Sequence, residues 1–146
     1  MCAWCQLVPV PSSVAGMGVD ERGMVNIRQE VIVATVIRRD ALARPDRTAE
    51  FRGARHGAGD VSFIWVVMRP GEGPRLHQHP YAETFIVLEG EATFTVGDEV
   101  IVAHPGDIVV GPANVPHRFV NSGPGVLRQI DIHDAPDFAT EWLEEA

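Results

Sequence analysis

The 146-residue sequence contains no lysine, and all twelve of its basic residues are arginine. This absence excludes chemistry that depends on a lysine amine, such as Schiff-base formation, anchoring of pyridoxal phosphate and the phosphate contact of a P-loop. Cysteine is also scarce. Cys2 and Cys5 form a single C-x-x-C, without the second pair of a zinc ribbon or the βαβ context of a thioredoxin-like motif. We interpret this pair as part of a reduced tail, with metal binding or redox function as the alternative.

Long apolar segments are missing as well, because Pro9 and Pro11 interrupt the apolar stretch near the N-terminus and no other run approaches the length of a membrane span. The sequence therefore predicts a cytoplasmic protein without a membrane partner. Its net charge of −8 is concentrated in residues 59–146, which hold fourteen acidic residues against four arginines. An acidic surface repels a phosphate backbone, which argues against a nucleic-acid partner.

A chain of this length fits one domain with one core. Residues 1–23 mix proline, glycine and serine without a period, and we expect a disordered tail there. Residues 24–59 are predicted to contain one strand, at 30–37, followed by an arginine- and glycine-rich loop. Residues 134–146 are predicted to form a short C-terminal helix that begins near Pro136.

Between these flanks, residues 60–133 contain seven short runs rich in valine, isoleucine, phenylalanine and threonine, at 61–68, 83–88, 91–96, 99–103, 107–110, 117–121 and 126–132. Glycine- and proline-containing turns separate the runs, with no helical period between them. Short strands at this spacing are typical of an antiparallel sandwich or barrel. The predicted fold class is therefore all-β, with a single antiparallel β-barrel and a short C-terminal helix.

Candidate metal ligands lie around the second of these runs. His77 and His79 are two residues apart, so both imidazoles point to the same side of an extended segment. Pro80 interrupts that strand and lets the chain turn toward Glu83, whose carboxylate can then approach both rings. His117 is the fourth candidate. Each residue alone also suits an ordinary strand or loop position, but imidazole and carboxylate together suit iron, manganese, nickel, copper or zinc.

Two patterns of glycine, proline and asparagine enclose these four residues. The first reads Gly71-x5-His77-x-His79-x3-Glu83-x6-Gly90, and the second reads Gly106-x5-Pro112-x-Asn114-x2-His117-x3-Asn121. Together they resemble the two sequence motifs of the cupin superfamily. One position departs, since Asn114 stands where the family usually has glycine. Asparagine tolerates the left-handed backbone conformation better than most side chains, so this change is mild.

The resemblance implies a jelly-roll β-barrel over residues 60–133 with one divalent transition metal inside, held by His77, His79, Glu83 and His117. We expect Fe2+, with Mn2+, Ni2+, Cu2+ or Zn2+ as alternatives. Such a ligand set leaves coordination positions open, as in a catalytic site. The resemblance also implies a homodimer in which the strand at 30–37 pairs across the interface. Three further histidines have no partner at ligand spacing and are interpreted as structural: His56, His104 and His133.

These expectations point to a metal-dependent enzyme with a small-molecule substrate, and an oxygenase or dioxygenase acting on an enolic or aromatic compound leads the alternatives. Glu83 is the candidate catalytic residue, because a ligand carboxylate can also accept a substrate proton. A non-redox isomerase, cyclase or lyase is the alternative. For that chemistry Tyr81 is the candidate proton-transfer residue, unless it only packs at the rim of the hairpin. A non-catalytic ligand-binding cupin is the third possibility.

Phe85 and Phe119 each share a strand face with the nearest ligand, so they are predicted to form an apolar wall of the substrate pocket. An apolar lining argues against oxalate-type decarboxylation, because a small dicarboxylate requires charged groups around it. Arg128, on the last predicted strand, is the candidate to bind a substrate carboxylate, with an outward, solvated position as the alternative.

Overall fold

The computed structural model describes residues 17–19, 25–27, 34–45 and 48–145. The chain divides into two compact units, Met1–Val36 and Ile37–Ala146. In the first unit, β1 (Met17–Val19) and β2 (Val25–Ile27) form an antiparallel pair. Among the described residues, no helix has the length and hydropathy needed to cross a membrane.

The second unit consists mainly of short strands. Its elements are a 3₁₀ turn at Arg39–Leu42, β3 (Ala49–Arg52), α1 (Gly53–His56), β4 (Ser62–Met68), β5 (His77–Gln78), β6 (Glu83–Glu89), β7 (Ala92–Val96), β8 (Glu99–Ala103), β9 (Ile108–Gly111), β10 (His117–Asn121), β11 (Leu127–His133) and β12 (Glu141–Trp142). All seven runs predicted between residues 60 and 133 form strands, with bounds that differ by no more than one residue. Turn chemistry and β-branched composition were therefore sufficient to locate them.

These strands form two five-stranded antiparallel sheets. One sheet has the order β12–β5–β10–β7–β8 and the other has the order β3–β4–β11–β6–β9. The chain passes repeatedly from one sheet to the other, and most neighbouring strands are distant in sequence. This is the two-sheet arrangement of a jelly roll, so the predicted all-β fold class is confirmed.

The core lies between the sheets, because the strands bury alternate side chains. Its apolar cluster contains Val66, Phe85, Val87, Ala92, Phe94, Ala103, Val109, Phe119 and Leu127. On β6 and β10 the same buried face continues from phenylalanine to Glu83 and His117, which begin the two strands. The interior therefore changes from apolar to polar at one end, and that end contains the candidate site.

The predicted C-terminal helix at 134–146 is wrong. Described residues of this segment form turns and extended chain, and Glu141–Trp142 is the short strand β12. It pairs with β5, with Trp142 opposite His77, and the Leu143 N–H donates to the Leu76 carbonyl at 3.0 Å. A helix this short is marginal by itself, whereas the edge of β5 offers the segment backbone hydrogen bonds.

The segment before β4 also differs from the prediction. Residues 34–37 of the expected strand at 30–37 form no strand, and Val36 is exposed, whereas 30–33 lie outside the described residues. The sheet instead gains β3, within the expected loop, because β3 pairs with β4 and buries Ala49. In the expected tail, Met17–Val19 forms β1, and the rest of residues 1–23 lies outside the described residues.

Candidate metal site

Four side chains converge at the polar end of the sheets. His77 lies on β5 and His79 just after it, while Glu83 begins β6 and His117 begins β10. The Cα atoms of His77 and His117 are paired across the sheet. The potential ligand atoms of all four residues lie within 4.8 Å of one another, and all four side chains are buried. The two sequence motifs thus place their histidines and glutamate in one cluster.

The backbone around His79 depends on Asn114. The Asn114 N–H donates to the His79 carbonyl at 2.7 Å, and Asn114 has a φ of 60°. The prediction that Asn114 adopts the left-handed conformation of the usual glycine is therefore confirmed. A second close approach occurs at Gly111, where an added Cβ would lie 3.3 Å from Nδ1 of His117. A bare backbone at this position leaves room for the imidazole.

Hydrogen bonds to backbone carbonyls orient all three imidazoles. Nδ1 of His77 lies 2.7 Å from the Arg75 carbonyl oxygen, and Nδ1 of His117 lies 2.9 Å from that of Val115. Nδ1 of His79 contacts a carbonyl at 2.8 Å that comes from the C-terminal segment, at Ala139. A carbonyl can only accept a hydrogen bond, so each Nδ1 donates and each Nε2 is directed to the cluster. This is the arrangement that fixes histidine as a metal ligand.

The Glu83 carboxylate lies among these Nε2 atoms. Its Oε2 is 2.9 Å from His79, 2.9 Å from His117 and 4.0 Å from His77. Burial opposes ionisation of Glu83, but the close imidazoles of His117, His133 and His79 hold its pKa well below the usual range. The site therefore presents a carboxylate to any bound cation.

The pKa values of His77 and His79 are shifted in opposite directions. Burial lowers the pKa of His77, which keeps its Nε2 lone pair free. Burial also disfavours the charged form of His79, but the nearby Glu83 carboxylate and the hydrogen bond to the Ala139 carbonyl outweigh it and raise the pKa of His79. Nε2 of His79 is nevertheless buried without an aligned hydrogen-bond partner, despite its short distance to Glu83. An unsatisfied imidazole nitrogen beside a carboxylate fits a divalent metal.

The cluster opens on a cavity of about 490 Å³. Its lining includes apolar residues such as Phe119, but also several charged and polar side chains: Arg44, Thr48, Glu50, Arg52, Asp131 and His133. Glu50 accepts hydrogen bonds from Arg44 at 2.6 Å and Arg52 at 3.0 Å, so both arginines are partly neutralised. The lining is therefore mixed: Phe119 and other apolar residues contribute to it as predicted, but charged side chains lie beside them. Because charged groups are present, the lining no longer argues against a small dicarboxylate substrate.

Two predicted substrate-binding residues, Phe85 and Arg128, are not part of the cavity lining. Phe85 is buried in the apolar core, where its ring meets the edge of His117 at 5.8 Å, and it is not among the residues that line the cavity. Arg128 is half-exposed and donates from Nε to Glu89 at 2.8 Å on the outer face of the sheet. Arg128 alternates with buried neighbours on β11, so its parity turns it to solvent.

Tyr81 lies against the histidine cluster rather than in the cavity lining. Its ring stacks on His79 at 5.2 Å with an interplanar angle of 4°, and its hydroxyl accepts a hydrogen bond from the Ala139 N–H at 2.8 Å. Burial raises the pKa of the Tyr81 phenol, which stays protonated at neutral pH. These contacts support a packing role for Tyr81. Its proton-transfer role stays a prediction.

A row of buried polar residues on β11 was not predicted from the sequence. Gln129, Asp131 and His133 alternate with outward residues and are all buried. His133, interpreted as structural, lies outside the group of four candidate ligands, but its Nε2 is 3.1 Å from Oε1 of Glu83. That contact with a candidate ligand was not predicted. The signal was the period of two in LRQIDIH, which places these three side chains on the face of buried Leu127.

The motif resemblance has independent support. Residues 64–133 match the family model of the cupin domain. This part of the chain is a cupin domain. Over 72 residues the chain is 33% identical to a protein named polyketide synthase CurC from Streptomyces cyaneus, a match that covers 49% of this chain and 46% of that protein. The chain thus spans about half the length of this curated relative.

Solved structures agree on the fold. Oxalate decarboxylase from Bacillus subtilis superposes with a TM-score of 0.62 at 21% identity, over 66% of this chain and 27% of the enzyme. The oxalate decarboxylase of Lactobacillus farciminis gives 0.61 at 22% identity, over 66% and 31%. The chain spans less than a third of either enzyme, so these likenesses show the jelly-roll fold. The Bacillus enzyme has Mn(II) centres.

Proposed function

We propose that this cupin is a metal-dependent oxygenase that acts on a small enolic or aromatic compound. The observation that carries the proposal is the buried cluster of three imidazoles and one carboxylate at the wall of a cavity of about 490 Å³. Cavities of this size hold small organic molecules. The name of the Streptomyces relative adds support, because polyketide chains are rich in carbonyl groups that enolise.

A redox-active metal held by His77, His79, Glu83 and His117 would supply dioxygen activation beside the bound substrate. The protein's own contribution is positional and electrostatic. The carbonyl contacts at Nδ1 keep the three Nε2 atoms directed at one point, and burial excludes bulk water. Glu83 is held as a carboxylate, which supports its proposed role as the acceptor of a proton when a substrate enolises.

A non-redox isomerase, cyclase or lyase is the second candidate, and Asp131 is the observation that favours it. Asp131 lines the cavity and is buried. Burial and the nearby Glu83 carboxylate raise the pKa of Asp131 well above its usual range, although Gln129 donates a hydrogen bond that opposes this. A protonated carboxyl beside a metal site can donate to a carbonyl oxygen or return a proton to carbon.

The first experiment measures the metal content of the purified protein. Protein purified without added metal should contain about one divalent ion per chain, and the double variant His77→Ala, His117→Ala should lose it. His104→Ala is the matched control, because His104 is exposed and pairs with Glu91 at 3.3 Å, outside the cluster. Full retention of metal in the double variant would remove the basis of the proposal.

Dioxygen uptake then separates the candidates. The iron-loaded protein is mixed with a panel of β-dicarbonyl compounds and aromatic acids, and uptake is followed with an oxygen electrode. Substrate-dependent uptake supports the oxygenase. Conversion of a panel member under nitrogen by a zinc- or manganese-loaded protein, without uptake in air, supports the second candidate. Binding without conversion under either condition would indicate a ligand-binding cupin and contradict both.

A further inference from the structure

We propose that His133 is a positioning residue that holds one oxygen of Glu83 and leaves the other for the metal. The proposal rests on the metal site of the proposed function. The two carboxylate oxygens of Glu83 face different partners. Oε2 faces the Nε2 atoms of His79 and His117, at 2.9 Å each, whereas Oε1 lies 3.1 Å from Nε2 of His133.

The strand register produces this division. His133 ends β11 directly opposite Glu83, the first residue of β6. Both side chains are buried at 2% exposure, and both point to the interior because the strand faces alternate. His133 lies outside the group of four whose ligand atoms come together, so its nitrogen approaches the carboxylate and not the common point of the cluster.

Packing fixes the His133 ring in place. It meets Phe138 edge-on at 4.7 Å and His79 edge-on at 4.8 Å, so it is held between the C-terminal segment and a ligand. Neither of its nitrogens has an aligned hydrogen bond among the described residues. A buried histidine with a purely structural role is normally satisfied. Nε2 of His133 is close enough to Oε1 of Glu83 for a hydrogen bond but is not aligned with it. A small rotation of the imidazole or of the carboxylate would align the two groups.

The consequence concerns how Glu83 binds a cation. If His133 donates to Oε1, only Oε2 is available and Glu83 acts as a single-oxygen ligand. The coordination position that a second oxygen would take then stays open for substrate. Residues that orient a ligand in this way typically change metal affinity by about 10–100-fold when removed.

Cobalt(II) provides a readout independent of turnover, because its visible absorption reports ligand number and geometry. We compare wild type, His133→Ala, His133→Gln and the control His104→Ala, each stripped of metal and titrated with Co2+. The alanine variant should bind Co2+ about 10–100-fold more weakly and show an altered spectrum. The glutamine variant, whose amide N–H can reach Oε1, should recover most of both properties. The control should match wild type.

Three results would overturn the inference. Wild-type affinity and spectrum in His133→Ala would show that Oε1 needs no partner. Complete loss of Co2+ in this variant, with no recovery by glutamine, would make His133 a ligand and not a positioning residue. Failure of wild type itself to bind Co2+, Mn2+ or Fe2+ would overturn the proposed function and this inference together. If circular dichroism shows that the alanine variant does not fold, His133→Gln is compared with His133→Asn instead. The shorter asparagine side chain should not reach Oε1, so His133→Asn should bind Co2+ more weakly than His133→Gln.

Discussion

Replacement of Glu83 by glutamine tests the metal site most directly, because it keeps the shape of the side chain and removes its charge. The ligand nitrogens and the Glu83 oxygen lie within 4.8 Å of one another, so an ion shared by them lies within about 4 Å of the carboxylate. Two unit charges at that distance interact by about 4 kcal/mol at the effective dielectric typical of proteins, and a divalent ion doubles this to about 8 kcal/mol.

Part of that energy is offset, because the ion and the carboxylate lose hydration and the glutamine oxygen remains a weak ligand. If about half is offset, Glu83→Gln costs roughly 4 kcal/mol of binding free energy, which is about a thousandfold in the dissociation constant. Competition titration with a chromophoric chelator measures this difference. Glu89→Gln is the control, since Glu89 lies on the same strand but pairs with Arg128 at the surface. A dissociation constant for Glu83→Gln within tenfold of wild type would refute the electrostatic argument.

Three further predictions concern the protein without metal. Because the pKa of Asp131 is raised in the fold, the native state keeps its proton where the unfolded chain releases it, and this contribution to stability is lost as pH rises above about 4. Asp131→Asn should therefore gain stability relative to wild type as pH rises above about 4 in urea unfolding with EDTA, and a pH-independent difference would contradict this. Tyr81→Phe keeps the stacking on His79 but removes the acceptor of the Ala139 N–H, so urea unfolding should show a loss of about 1 kcal/mol, and unchanged stability would show that this hydrogen bond contributes nothing net. Asn114→Ala should cost about 1–2 kcal/mol at its left-handed φ while Asn114→Gly stays within about 0.5 kcal/mol, and equal thermal midpoints for the two variants would exclude backbone strain as the cause.

Local chemistry was enough to predict the strands of the barrel. The runs between residues 60 and 133 combine β-branched residues with glycine and proline turns, and each of these signals acts over a few residues. The ligand set could also be predicted, since strand parity and the two motifs place His77, His79, Glu83 and His117 in one cluster. The expected homodimer stays a prediction.

Errors arose where a segment's conformation depends on a distant partner. Arg128 alternates with buried residues and so points outward, but its partner Glu89 is set by the register of β11 against β6. The C-terminal residues carry a weak helical pattern, but the edge of β5 offers them backbone hydrogen bonds that a short helix in water cannot match.

The sequence by itself determined the strands between residues 60 and 133, because β-branched composition and turn residues act over a few positions. The resemblance of its two motifs to those of cupins implied the cluster of three histidines and one carboxylate. The tertiary structure decided what surrounds that cluster. Long-range pairing brings the Ala139 carbonyl to His79 and places His133 opposite Glu83, fifty residues away along the chain. Contacts of this kind depend on which strands become neighbours, and that outcome is settled by the packing of the two sheets and not by any local run of residues.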